Sequence, residues 1–221
     1  MHGQRNTTVV VTAGEAAPSI LERLPARAAV VAADGGVDVA LALGLDVTVA
    51  VGDFDSVTPS GLAAVEQAGA RIVRHPEAKD ATDLELALDV ALELGGGRIV
   101  VVGEAGGRLD HLLAGLLLLG HERYAGVEID ALLGRAACAH IVRAERVLAG
   151  EPGELISLLP LHGRAEGVTT EGLAYPLRGE TLEPGSSRGV SNVFTERRAR
   201  VAVDRGVLAA LRPGTTERRP S

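Results

Sequence analysis

The chain has 221 residues, with 22 lysines and arginines against 29 aspartates and glutamates, a net charge of −7. Hydrophobic residues make up 46% and charged residues 23%, the balance of a folded chain with a core, and the acidity argues against a nucleic-acid backbone as main partner. The single cysteine, Cys138, excludes an internal disulfide and a cysteine-built zinc site.

The first two thirds alternate β-branched runs with helical patterns. Strands are predicted at Thr7 to Val11, Ala28 to Ala32, Val47 to Val51, Arg71 to Val73 and Arg98 to Val102. Helices are predicted at Pro18 to Leu24, Val37 to Leu43, Pro59 to Ala68, Ala81 to Leu94 and Leu109 to Leu119. Strands that are apolar throughout, joined by helices, predict an α/β domain: a Rossmann-like parallel sheet with helices on both faces, over residues 1–140. From Ile141 the apolar runs shorten (Leu155 to Leu159, Gly167 to Thr170, Val201 to Val203, Val207 to Leu211) and are punctuated by Gly, Pro and Glu. That texture predicts a small antiparallel β domain over 141–213, followed by a disordered tail at 214–221. The longest strongly apolar run, Leu112 to Leu119, falls far short of the ~20 residues of a bilayer span. With no apolar targeting stretch near Met1, a cytoplasmic location is expected.

Ligands of open parallel sheets bind beyond the carboxyl ends of the strands, and here those ends are acidic. The second strand runs into Asp34-Gly35-Gly36 and the third into Gly52-Asp53-Phe54-Asp55-Ser56. Lys79-Asp80-Ala81-Thr82-Asp83-Leu84-Glu85 precedes the long helix, and Gly107-Arg108-Leu109-Asp110-His111 follows the fifth strand. Six of the eleven aspartates sit at these ends. Hard carboxylate oxygens flanked by glycines suit Mg²⁺ carried with substrate phosphates, which backbone N–H groups and helix N-termini also favour. Lys79, the one lysine of the chain, and Arg108 supply cations there. No Gly-Lys-Ser/Thr occurs, so a Walker A loop is excluded, and no G-x-G-x-x-G follows the first strand. Asp34 also fits ordinary turn chemistry, and Asp80, Asp83 and Asp110 also fit helix capping. Asp53 and Asp55 are two apart in extended chain, which points both carboxylates to one side.

These four segments, in this order, resemble thiamine pyrophosphokinases. So do Leu155-Ile156-Ser157-Leu158-Leu159-Pro160, Gly172-Leu173-Ala174-Tyr175-Pro176-Leu177 and Gly189-Val190-Ser191-Asn192 further on. The similarity spans roughly residues 7–212. It implies an N-terminal α/β domain and a C-terminal β-sandwich assembled as a homodimer. It also implies Mg-dependent transfer of the pyrophosphoryl group of ATP to thiamine, giving thiamine diphosphate and AMP. Thiamine would lie between the acidic rim of one subunit and the β domain of the other. Carried over by motif, Asp53, Asp55, Asp83 and Asp110 would be the catalytic and metal carboxylates. Asp34, Gly35, Gly36, Lys79, Asp80, Thr82, Arg108 and His111 would line the ATP site, and Ser191 and Asn192 the thiamine pocket. With no tryptophan in the chain, Phe194 is the candidate for stacking on thiamine, with core packing the equal alternative; Tyr175 is expected to be structural. A pterin-directed pyrophosphokinase, a nucleotide- or thiamine-sensing module and a metal-dependent phosphohydrolase are the competing readings of the acidic rim.

Overall fold

The computed structural model describes residues 6–78, 80–104 and 108–214. Lys79 and the tail beyond residue 214 lie outside the described residues. The chain forms two compact units, Met1–Leu112 with Gly126–Arg135, and Leu113–Ala125 with Ala136–Ser221.

The first unit contains β1 (Thr7–Val11), β2 (Ala29–Ala33), α1 (Gly36–Ala42), β3 (Val49–Gly52), α2 (Pro59–Gln67), β4 (Arg71–Arg74), α3 (Asp83–Glu93), β5 (Arg98–Gly103), the start of α4 (Leu109–Leu119) and β6 (Glu128–Leu133). The six strands are parallel in the order β4-β3-β2-β1-β5-β6. Val10 of β1 pairs with Val31 on one side and Val101 on the other. Consecutive residues of β1, β2, β3 and β5 are buried, so side chains on both faces of the sheet are covered, as their unbroken apolar runs require. The segment expected as a helix from Pro18 is a 3-10 turn, Pro18–Arg23. Pro25 disfavours helical geometry at Leu24 and leaves too few residues for an α-helix.

Two threonines start helices in this unit. Thr58 Oγ1 accepts from Gly61 N at the head of α2, and Thr82 Oγ1 accepts from Glu85 N at the head of α3. Each satisfies an amide that the first turn leaves without a partner. The Asp38 carboxylate of α1 accepts from both the N–H and the hydroxyl of Thr58, tying the two helices together.

The second unit is antiparallel: β7 (Ala137–Val142), β8 (Glu145–Ala149), β9 (Leu155–Glu171), β10 (Arg178–Leu182), β11 (Asn192–Val193), β12 (Arg198–Ala202) and β13 (Arg205–Arg212). The expected division after residue 140 falls inside β7. The two runs read as separate strands at Leu155 and Gly167 are one 17-residue strand. Within it His162, Gly163 and Gly167 have positive φ, so the strand changes direction without ending. Its first half pairs with β13 and β11, its second with β10 and β12. Enclosed within this unit is an apolar cluster that includes Ile156, Leu158, Val168, Leu177, Leu182, Phe194, Val201 and Leu208.

Candidate active site

Asp34 leaves the end of β2 in the left-handed region at φ 45°, a conformation that aspartate tolerates better than most residues. Its N–H donates to the Val51 carbonyl and its own carbonyl accepts from Val37 N, both at 2.9 Å. This fixes the turn between strand and helix. The side chain is 9% exposed, and its Oδ1 is buried with no hydrogen-bond partner among the described residues. At the end of β3, Phe54 also has positive φ, 64°, and buries its ring. Asp53 and Asp55 on either side of it join Asp34, with one carboxylate oxygen from each lying within 4.8 Å of the others. Asp55 N donates to Asp53 Oδ1 at 3.3 Å, and Ser56 Oγ donates to Asp55 Oδ1 at 2.8 Å.

Gly52 makes this convergence possible. A Cβ there would stand 3.1 Å from Asp34 Cβ and 3.2 Å from Asp83 Oδ1, so both carboxylates lie against a residue with no side chain. Asp83, expected among the metal carboxylates, therefore borders the triad from the first turn of α3 without being one of its three members. Asp80 is exposed nearby in the chain, and Thr82 is the α3 cap rather than a free hydroxyl.

The other glycines of this rim have a packing role. A Cβ on Gly36 would meet the Val11 carbonyl oxygen at 2.1 Å, and one on Gly35 would meet Ala13 Cβ at 3.1 Å. Both residues let the backbone that opens α1 press against the end of β1.

Asp110, expected among the metal carboxylates, is not part of the triad. At the start of α4 it accepts from Arg108 Nε at 3.2 Å and from Arg108 Nη2 at 2.6 Å. That hydrogen-bonded guanidinium keeps the Asp110 carboxyl below its ordinary range and raises Arg108 in return. Both residues and His111 are exposed.

In the second unit the residues expected at the thiamine pocket divide sharply. Phe194 is 1% exposed within the apolar core, and Gly150 packs so closely on its ring that a Cβ there would come within 2.7 Å. Core packing, not an open stacking surface, is its role in this structure. Asn192, 4% exposed, is spent on the backbone. Its Oδ1 accepts from Tyr175 N and Val193 N, both at 2.9 Å, and its Nδ2 donates to Tyr175 O at 2.7 Å. Ser191 is exposed at φ 58°, with its N–H on Ser157 Oγ at 3.1 Å.

Tyr175, expected to be structural, combines a held backbone with an open side chain. Asn192 grips its backbone on both sides, yet the side chain is 60% exposed. A fixed backbone under an exposed aromatic ring is a preorganised surface for a flat ligand. Tyr175 is one of only four aromatic residues in a chain without tryptophan.

Comparison with known proteins agrees with both units. Residues 22–130 match the family model described as thiamin pyrophosphokinase, catalytic domain, and residues 139–208 match thiamin pyrophosphokinase, vitamin B1 binding domain. A thiamine pyrophosphokinase of Bacillus subtilis (strain 168) is 31% identical over 189 residues, covering 81% of this chain and 84% of that protein. The crystal structure of thiamine pyrophosphokinase from Bacillus subtilis superposes with a TM-score of 0.83 at 27% identity, covering 96% of this chain and 100% of that one. The structure from Geobacillus thermodenitrificans gives 0.80 at 25% identity, covering 96% and 99%. With catalytic and vitamin-binding sequence models matched in turn along its length, the chain belongs to the thiamin pyrophosphokinase family.

Proposed function

We propose that this chain transfers the terminal pyrophosphoryl group of ATP to the hydroxyl of thiamine, giving thiamine diphosphate and AMP. One observation carries the reading: three strand-end carboxylates, one with a buried unpartnered oxygen, converge in a chain of this family. Three such groups within 4.8 Å repel one another unless a cation shares their oxygens. Their hard oxygen donors fit Mg²⁺ and its preference for a few carboxylates plus substrate phosphates. Asp34, Asp53 and Asp55 would hold the ion, whose chemistry there is to neutralise charge on the transferring phosphates.

The chain's own residues do the positioning, which is most of the catalysis in phosphoryl transfer. The thiamine oxygen must stand in line with the β-phosphorus and the departing AMP. Asp83, against Gly52 but outside the triad, accepts the hydroxyl proton at its carboxylate as that oxygen attacks. Arg108, fixed by its bidentate bond to Asp110, and Lys79 supply positive charge to the phosphates. Tyr175 presents its ring to thiamine, with Ser191 next in sequence to Asn192, which holds the Tyr175 backbone. A homodimer is part of this reading. The leucine-rich α4 exposes Leu109 (76%), Leu113 (57%) and Leu117 (40%), an apolar surface of the kind that protein contacts cover.

The test is incubation with Mg-ATP and thiamine, with controls lacking thiamine or containing EDTA, and separation of the products. Thiamine diphosphate formed together with AMP, only with metal, is the expected result. Thiamine monophosphate with ADP, or ATP hydrolysis without acceptor, would overturn the reaction type.

A further inference from the structure

Both phenylalanines of the chain carry a guanidinium on the ring face. Arg212 Cζ lies 5.8 Å from the centroid of Phe194, and Arg74 Cζ lies 5.1 Å from that of Phe54. The two arginines differ in what else they touch. Arg212 is also held by Glu154 and by the Ala149 carbonyl. Arg74 is exposed, and among the described residues its guanidinium makes no ion pair or hydrogen bond.

Phe54 stands between Asp53 and Asp55, so whatever holds its ring holds the backbone from which both carboxylates project. That backbone is left-handed, at φ 64°, a conformation that a bulky residue keeps only where its surroundings enforce it. Burial of the ring is one constraint. The hydrogen bond that closes the turn adds little: Asp55 N reaches Asp53 Oδ1 at 3.3 Å, longer than the usual range. Arg74 is placed to supply a second constraint. It is the last residue of β4, in register with Gly52, and the pairing continues one residue further, with His75 N donating to Gly52 O at 2.9 Å. Its backbone is therefore fixed beside the residue that Asp34 and Asp83 pack against. A planar guanidinium on such a base is suited to lie on an aromatic face.

We propose that Arg74 is a positioning residue of the acidic rim: its guanidinium clamps the Phe54 ring and so holds the left-handed turn on which Asp53 and Asp55 converge. That the convergence serves a divalent cation rests on the reading above; the clamp itself does not. As a bare charge, Arg74 would repel a cation at the three carboxylates and weaken its binding. As a clamp it strengthens that binding, by ordering two of the three carboxylates before the cation arrives. The two effects have opposite signs, so a measurement can tell them apart.

The experiment makes two measurements on the whole chain, on Arg74→Gln, Arg74→Lys and Phe54→Leu, and on the chain carrying both Arg74→Gln and Phe54→Leu. The first, without metal, is the NMR order parameter of the Phe54 and Asp55 amides. In Arg74→Gln these should fall from the rigid value of about 0.85 to below about 0.6 while β3 stays rigid, and Arg74→Lys should recover part of the loss. The second is titration with Mn²⁺ alone, followed by electron paramagnetic resonance. Arg74→Gln should weaken Mn²⁺ binding in the otherwise unaltered chain and tighten it in Phe54→Leu. The two effects should differ by about threefold, the scale of an exposed cation–π contact. Unchanged order parameters in Arg74→Gln overturn the proposal. So does tighter Mn²⁺ binding to the same degree in both backgrounds, which would make Arg74 a charge and nothing more. If Phe54→Leu does not fold, the order parameters of the two Arg74 variants decide by themselves. Absence of Mn²⁺ binding by the unaltered chain would sink the proposed metal reading, and the order parameters would still decide the clamp.

Discussion

Asn192→Ala separates two roles for a residue that the sequence motif assigned to the thiamine pocket. In the structure its amide satisfies three backbone groups: the N–H and C=O of Tyr175 and the N–H of Val193. Only one orientation of the amide serves all three, with oxygen toward the two donors and nitrogen toward the carbonyl. A net value of about 1 kcal/mol per hydrogen bond gives about 3 kcal/mol lost. Asn192 is 4% exposed, so the cavity left by truncation does little to restore solvent to those groups. With a urea dependence of about 2 kcal/mol per molar, the unfolding midpoint should fall by about 1.5 M. Amide exchange at Tyr175 and Val193 should accelerate in the native state, and KM for thiamine should rise because the Tyr175 ring is no longer fixed. The alternative, direct contact between Asn192 and thiamine, predicts a higher KM with an unchanged urea midpoint and unchanged exchange. That outcome would refute the argument.

Three further predictions test the acidic rim. Asp34→Asn keeps a residue suited to φ 45° and removes one of three mutually repelling charges, so the melting temperature should rise by about 3 °C while turnover falls by about 100-fold or more; scanning calorimetry and steady-state kinetics measure the two. Gly36→Ala drives a methyl group to 2.1 Å from the Val11 carbonyl oxygen, which should cost about 3 kcal/mol and lower the melting temperature by about 10 °C. Arg108→Ala removes the hydrogen bonds that depress Asp110. In the intact pair the depressed carboxyl keeps its charge, and the small stabilisation that goes with it, until pH falls through the folded-state value. In the variant the Asp110 carboxyl signal should titrate at higher pH, as followed by carbon NMR.

The parallel half of the fold was legible because its strands are buried on both faces and read as unbroken Val and Ala runs between helices. β6 was not, since Glu128 and Asp130 interrupt its apolar pattern; Asp130 is buried against Arg98 at 2.6 Å, a long-range pairing that no local signal announces. The length of β9 was hidden by His162 and Gly163, which punctuate the sequence like a turn but only redirect the strand. At the rim, the Asp-Phe-Asp spacing pointed to two carboxylates meeting along extended chain, whereas they meet across a left-handed Phe54 beyond the end of β3. It did not anticipate Asp34 as their third member, because that depends on β2 and β3 being neighbours and on Gly52 yielding space between them. Asp110 carried the same chemical signal as the others, and only the proximity of Arg108 distinguished it. Phe194 could not be decided between stacking and core packing for a similar reason: burial is set by tertiary packing, which a single aromatic letter does not encode, and here it buries Phe194 and leaves Tyr175 exposed.

The exposed Tyr175 has a spectroscopic consequence. With no tryptophan and only two tyrosines, the intrinsic fluorescence of the chain comes from phenols alone. One of these, Tyr124, is fully buried and the other is 60% open to solvent. Fluorotyrosine incorporation would yield two resonances, a sheltered internal reference and a reporter at the surface, so the protein carries its own label for whatever settles on that ring.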